Sequence, residues 1–328
     1  MRRSVSSTLL LVLLFAALGC KADKSQPFRI GILAGLGPDN STFTGFMDGL
    51  IEMGYTEGGD ISFDLRTPKY DLIEHRRIIE DFINEEVDLI FVYPTYSALL
   101  AKELAQDSGI PVVFAVSYTE GYGLIEDVAD PGNGITGVRY PGTEIVAIRY
   151  EIMKSLIPSL QRLAVIYYAN QTFIGNQLTP IRELSKEDGI ELVEIKAKTP
   201  DDLFSQLEEW VGNDGKGFDA ILTIPEALIE QPEVKQYLGE FCGIYDIPIG
   251  GSEYTELSKY TLFYVGINFY ETGRQAASLA DKIISGIPAG NCPVISSPQY
   301  MVINYAQAKK KALDVPPSLL IMADEIIQ

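Results

Sequence analysis

The side chains able to do chemistry stand just after apolar runs. Residues 110–116 read Ile-Pro-Val-Val-Phe-Ala-Val and are followed at once by Ser117, Tyr118, Thr119, Glu120, Gly121, Tyr122 and Gly123. Rings and hydroxyls in such a cluster suit recognition of a small molecule, because rings supply contact area and hydroxyls fix orientation. Thr95, Tyr96 and Ser97 form a second group, where an apolar run gives way to a helical pattern. Free N–H groups at a helix start favour carboxylate or phosphate oxygens, and Thr95 can also simply cap the helix. A third set follows later runs: Tyr168, Asn170 and Phe173 near 168–173, Glu226 after 220–224, and Glu253 after 247–250. Each glutamate can meet a ligand cation or remain a solvated loop charge. Near the start, Gly35-Leu36-Gly37-Pro38 lies between a strand and a helix pattern, but Asn40 stands where a dinucleotide loop carries a small residue. It reads as a tight turn that sets Leu36 and Pro38 against a ligand.

Covalent and metal chemistry lack parts. The one histidine, His75, sits in a Glu-His-Arg-Arg stretch that reads as a solvated helix face. A Ser-His-Asp triad or a multi-histidine metal site therefore cannot be assembled. No closely spaced acid pair stands at the strand ends for carboxylate-only catalysis. The chain reads as a binding protein rather than an enzyme, with no cofactor, no metal and no catalytic residue. Eighteen tyrosines are present. Tyr93, Tyr96, Tyr118, Tyr122 and Tyr168 gather at strand ends, where rings can sandwich a planar or cationic ligand, although about half would be ordinary half-buried tyrosines.

Positioning these groups requires alternating strands and helices. Apolar runs at 28–34, 61–66, 87–93 and 110–116 read as strands, and amphipathic patterns at 41–53, around Ile78, Ile79, Phe82 and Ile83, and at 96–106 as helices between them. That rhythm implies βαβ units and a parallel sheet. It breaks at 130–138, Asp-Pro-Gly-Asn-Gly-Ile-Thr-Gly-Val, which is loop chemistry leading into a crossing segment. It restarts with a helix at 144–157 and strands at 162–168, 190–196, 220–224 and 247–250. Two α/β units in series are expected, joined through glycine-rich crossings. In open sheets of this kind ligands sit beyond the carboxyl ends of the strands, which is where the polar clusters fall.

The first nineteen residues belong to a different category. Arg2 and Arg3, an apolar stretch at 9–18 and Gly19-Cys20 describe a lipoprotein-type signal peptide, too short for a comfortable membrane span. Residues 17–20, Ala-Leu-Gly-Cys, resemble the bacterial lipobox, with Ala17 where leucine is commoner. Cys20 is expected to be the lipidated mature N-terminus, followed by a polar tether to residue 27. The formal net charge is −19, and losing Arg2 and Arg3 makes it more negative. Such acidity argues against nucleic acid as a partner. Cys242 and Cys292 can pair in an oxidising compartment or serve as small apolar side chains.

Six stretches carry a family resemblance: 54–63 (GYTEGGDISF), 87–104 (VDLIFVYPTYSALLAKEL), 109–116 (GIPVVFAV), 129–138 (ADPGNGITGV), 264–288 (YVGINFYETGRQAASLADKIISGIP) and 302–327 (VINYAQAKKKALDVPPSLLIMADEII). In this order they resemble the periplasmic substrate-binding proteins of ABC transporters, in the subgroup that includes tryptophan-binding lipoproteins. The resemblance implies a type I binding protein: two doubly wound parallel-sheet lobes, three crossing segments and a ligand clamped between them. It places 28–141 and 268–296 in lobe 1 and 142–267 and 297–328 in lobe 2. It also implies an ABC transporter permease as partner, a monomer, and a site on the periplasmic or cell-surface side of a bacterial membrane. A ligand-sensing lipoprotein feeding a membrane receptor is the alternative role. Where relatives carry Gly-Thr, Asp-Pro and Asp-Tyr, this chain has Pro94-Thr95, Tyr118-Thr119 and Asn268-Phe269. Asn268 joins the candidate ligand residues on that correspondence. With both acids gone, the expected ligand depends less on ammonium pairing, and aromatic amino acids or related heterocycles are favoured.

Overall fold

The apolar runs become buried strands, and the computed structural model of the chain describes residues 26–35, 41–68, 71–132, 134–170, 174–212, 217–252 and 256–328. Cys20, Leu36, Pro38, Phe173 and Glu253 lie outside the described residues. One sheet contains β1 (Phe28–Ala34), β2 (Ile61–Arg66), β3 (Leu89–Tyr93), β4 (Val112–Ser117), β5 (Ile135–Arg139) and the short β11 (Ile295–Ser296). Its order is β11-β5-β4-β3-β1-β2, and every pairing is parallel. The second contains β6 (Arg162–Tyr168), β7 (Glu191–Ala197), β8 (Ala220–Leu222), β9 (Ile249–Gly251), β10 (Thr261–Ile267), β12 (Gln299–Asn304) and β13 (Glu325–Ile327). Its order is β13-β12-β10-β9-β8-β6-β7, parallel except that β12 runs antiparallel to β10. The fold is therefore mixed α/β with two mainly parallel sheets, a two-lobe type I binding-protein fold.

Helices cover both sheets, as parallel pairing requires. The first carries α1 (Ser41–Glu52), α2 (Leu72–Asn84) and α3 (Thr95–Ala105); the second carries α4 (Gly142–Leu156), α5 (Gly175–Asp188), α6 (Pro200–Gly212) and α7 (Pro232–Ile244). After β10 the chain returns to the first sheet as α8 (Phe269–Ile284), which packs on α1. Small residues make that approach close: a Cβ on Gly273 would lie 2.0 Å from the Thr42 carbonyl oxygen, and one on Gly45 2.0 Å from that of Tyr270. Short helices α9 (Tyr305–Lys310) and α10 (Pro317–Met322) close the second sheet's far edge.

The chain passes between the sheets after β5, β10 and β11, in each case leaving a strand at its carboxyl end. That connectivity forces the carboxyl ends of both sheets to face one another. The crossings are laced together: Ser297 N donates to Arg139 O (2.9 Å), and Asn268 N to Pro298 O (3.0 Å). Two features depart from the sequence reading. His75 is buried rather than solvated, its Nδ1 2.8 Å from Ser97 Oγ, because α2 turns this face onto α3 while Arg76 and Arg77 point outward. Strands β10 to β13 were not expected: β11 to β13 are too short or too polar at their ends to stand out as apolar runs, and β10 runs straight into the crossing at 265–268 with no turn signal to mark it as a strand. Cys242 and Cys292 are both free and buried.

Candidate functional site

The end of β4 is irregular. Its pairing with β5 shifts register between Phe114 and Ser117, and Val116 adopts φ of 50°. A β-branched residue rarely takes that left-handed conformation, so the strand stores strain where it reaches the gap between the sheets. The kink turns Ser117 inward: its Oγ donates to Ala115 O (2.8 Å), and its carbonyl accepts from Tyr140 N (2.8 Å). Tyr118 N donates to Thr95 Oγ1 (3.0 Å), tying the first two polar clusters together and leaving Thr95 as a buried acceptor.

The Tyr118 ring is the centre of the site. It packs edge-on to Tyr140 at 5.1 Å and tilted to Tyr122 at 6.1 Å. A Cβ at residue 142 would come within 2.5 Å of its Cε1, so glycine at the start of α4 is what admits the ring. Burial pushes its phenol far above the usual range; the Tyr140 hydroxyl adds to that and the Arg149 guanidinium opposes it. The opposite lobe reaches it through α5: Gln177 Nε2 donates to Tyr118 Oη (2.8 Å) and to Pro225 O (3.3 Å), while Asn176 Nδ2 donates to the Glu120 carbonyl. The Pro225 carbonyl can only accept, which fixes the orientation of the Gln177 amide.

Several buried polar atoms that follow strands or lie on α5 have no partner among the described residues. They are Thr119 Oγ1 after β4, Gln177 Oε1 on α5, and Ser252 Oγ after β9. Gln177 is 1% exposed and Ser252 9%. Beneath them, on α4, Arg149 is 0% exposed; its Nε donates to Val265 O (2.7 Å) and its Nη2 to Tyr140 Oη (2.8 Å), while Nη1 has no partner.

A family model described as ABC transporter substrate binding protein matches residues 36–327. The chain belongs to that family. A tyrosine-binding protein of Clostridioides difficile (strain R20291) is 26% identical over 276 residues, covering 83% of this chain and 76% of its own length. Among solved structures, the ABC domain in complex with L-Trp from Streptococcus pneumonia aligns with a TM-score of 0.76 at 20% identity, over 92% of this chain and 100% of that one. The ligand-free, open structure of a Clostridium difficile substrate binding protein with adhesive properties gives 0.69 at 22% identity, over 88% and 96%. At these identities the structural likenesses bear on fold alone.

In this substrate-binding protein the remaining candidates serve varied purposes. Glu226 is buried; its carboxylate accepts from Tyr168 N (2.9 Å) and Ile229 N (2.7 Å). Burial raises its pKa, with backbone N–H groups of Ile229, Leu228 and Tyr168 opposing the rise. Tyr168 is half-buried against the second sheet's outer core, and Asn170 is exposed beside it. Tyr96 is half-buried, 6.3 Å ring to ring from His75, and Ser97 is occupied by that histidine. Tyr93 is fully buried in the core. Asn268 caps α8, its Oδ1 accepting from Glu271 N (3.0 Å). The structure thus brings Thr95, Ser117 and Tyr118 together, with Tyr168 and Glu226 joined to each other across the gap. Gln177, Ser252 and Arg149 were not anticipated. They lie within or beside helices and short strands whose pattern carries no mark of a site, although Arg149 on the apolar face of 144–157 was a legible anomaly. Among the described residues no group of His, Cys, Asp or Glu is arranged to hold a metal, and no helix is long and apolar enough to cross a membrane.

Proposed function

We propose that this protein is the extracytoplasmic binding component of an ABC importer, closing two lobes over a small amphipathic ligand, with aromatic amino acids or related heterocycles favoured. One observation carries the reading: the buried Thr119 Oγ1, next to Tyr118 after β4, and Gln177 Oε1, on the α5 side chain that is hydrogen-bonded to Tyr118 from the other lobe, lack partners among the described residues. Buried polar groups in folded proteins are almost always hydrogen-bonded, and a bound ligand would satisfy these. The tyrosine-binding relative supports the ligand class. Ser117, Tyr118, Thr95 and Tyr96 would present the site from lobe 1 (28–141 and 268–296), and Tyr168 and Asn170 from lobe 2. Lipidation at Cys20 would hold the protein at the membrane beside its permease. Thermal unfolding with L-tyrosine, L-tryptophan, nucleobases and small carboxylates tests the reading. A true ligand at 100 times its Kd stabilises by about 2.7 kcal/mol, and the aromatic reading fails if aromatic compounds leave the transition unmoved while another class shifts it. Mass spectrometry of the mature N-terminus tests the anchor, which an unmodified start beyond Cys20 would exclude.

A further inference from the structure

We infer that Arg149 is the anion-recognising group of the cleft, its unpartnered Nη1 receiving the carboxylate of the ligand. This rests on the binding-protein reading and specifies one end of the ligand. A guanidinium carries a permanent charge that burial makes costly unless an anion compensates it. Arg149 is completely buried, yet its two hydrogen bonds go to neutral oxygens, the Val265 carbonyl and the Tyr140 hydroxyl, and no described carboxylate forms an ion pair with it. The charge is left for something that arrives.

The geometry favours a carboxylate. Val265 O holds Nε and Tyr140 Oη takes one hydrogen of Nη2, so three N–H donors remain, two on Nη1 and one on Nη2. Two parallel donors on one edge match the two oxygens of a carboxylate. Tyr140 accepts from Arg149, which leaves its own hydroxyl hydrogen to donate to the same anion. The surroundings continue the recognition: the Tyr118 ring lies against Tyr140, and beyond it Gln177 Oε1 is an unpartnered acceptor suited to an N–H of the ligand. A buried cationic donor beside an aromatic ring fits a ligand that carries a carboxylate next to an apolar or planar group, with the Gln177 acceptor left for a polar N–H at its far end. Val265 and Tyr140 adjoin two of the three crossings. Arg149 is therefore reached when the lobes part at the Tyr118–Gln177 contact, and covered again as they close.

The test compares L-tyrosine with tyramine, which lacks the carboxylate, on the full mature protein. L-tyrosine is expected to bind and tyramine to bind at least about 30-fold more weakly, the loss typical of an unpaired buried charge. Arg149→Met should weaken L-tyrosine to a similar degree, and Arg149→Lys should recover part of the affinity. Equal binding of tyramine and L-tyrosine by the wild type, or Arg149→Met binding L-tyrosine within threefold of it, overturns the inference. Should Arg149→Met not fold, the L-tyrosine and tyramine comparison on the wild type still decides. If neither compound binds, the aromatic reading falls and acetate decides for Arg149. Acetate must raise the melting temperature above chloride at equal ionic strength in the wild type and by less in Arg149→Lys, and equal behaviour of the two salts in the wild type overturns the inference.

Discussion

Tyr118 joins more of the site than any other residue, through its ring to Tyr140 and Tyr122, its amide to Thr95 and its hydroxyl to Gln177. Tyr118→Ala should weaken ligand binding by about 1–3 kcal/mol in calorimetry, the range for a desolvated aromatic contact. Tyr118→Phe keeps the ring and should lose less. Binding by the alanine variant equal to wild type would remove Tyr118 from the site. Glu226 behaves differently, because its oxygens replace water for the backbone N–H groups of Tyr168 at the end of β6 and Ile229 in the turn before α7. Glu226→Ala strands those donors and should cost about 2 kcal/mol of stability in urea unfolding. A variant as stable as wild type would mean that solvent reaches the Tyr168 and Ile229 amides.

Elements are positioned by shape and charge at their contacts. The α1–α8 interface is close because glycines meet backbone carbonyls, so Gly273→Val should destabilise the first lobe by about 2 kcal/mol. Thermal unfolding checks this, and an unchanged midpoint would mean that the helices can separate without loss. On β7, Glu194 accepts two hydrogen bonds from Arg182 of α5 and one from Tyr167 of β6. Arg182 holds its carboxyl down at about 2, below the ordinary value of 4.5. A depressed carboxylate pKa contributes stability that is present above the unfolded value and lost as pH falls through the folded one. That contribution should disappear between about pH 4.5 and 2. Arg182→Gln should flatten the acid limb of a stability–pH profile in that window, and an unaltered slope would show that the pair adds nothing.

At the scale of the whole molecule, two helix residues bridge the sheets: Gln177 to Tyr118, and Asn176 to the Glu120 carbonyl. With three crossings between the lobes, near 137–143, 265–268 and 297–298, hinge bending is the motion the connectivity allows. Solution scattering should give a smaller radius of gyration with saturating ligand than without. An identical profile in both states would rule out a clamp. Gln177→Ala should shift the unliganded profile toward the larger value, since it removes one closing contact without touching any of the three crossings.

The residue order alone determined the alternation of strands and helices, the break near 130–138 and the presence of polar clusters after apolar runs. These follow from local periodicity: fully apolar strands such as Leu89–Tyr93 can only be covered on both faces, and Gly and Pro can only interrupt. It also carried the tyrosine-rich cluster at Ser117–Tyr122, because a strand end is legible wherever hydrophobicity stops. What only the tertiary structure decided is which of these groups face the gap. Ser97 and His75 satisfy each other, Asn268 caps a helix and Glu226 holds backbone amides, all partnerships made between segments far apart in the chain. Arg149, Gln177 and Ser252 escape the residue order for the converse reason. Their burial without a full set of partners among the described residues is set by tertiary packing, and no periodicity within one segment records what a distant segment leaves unsatisfied.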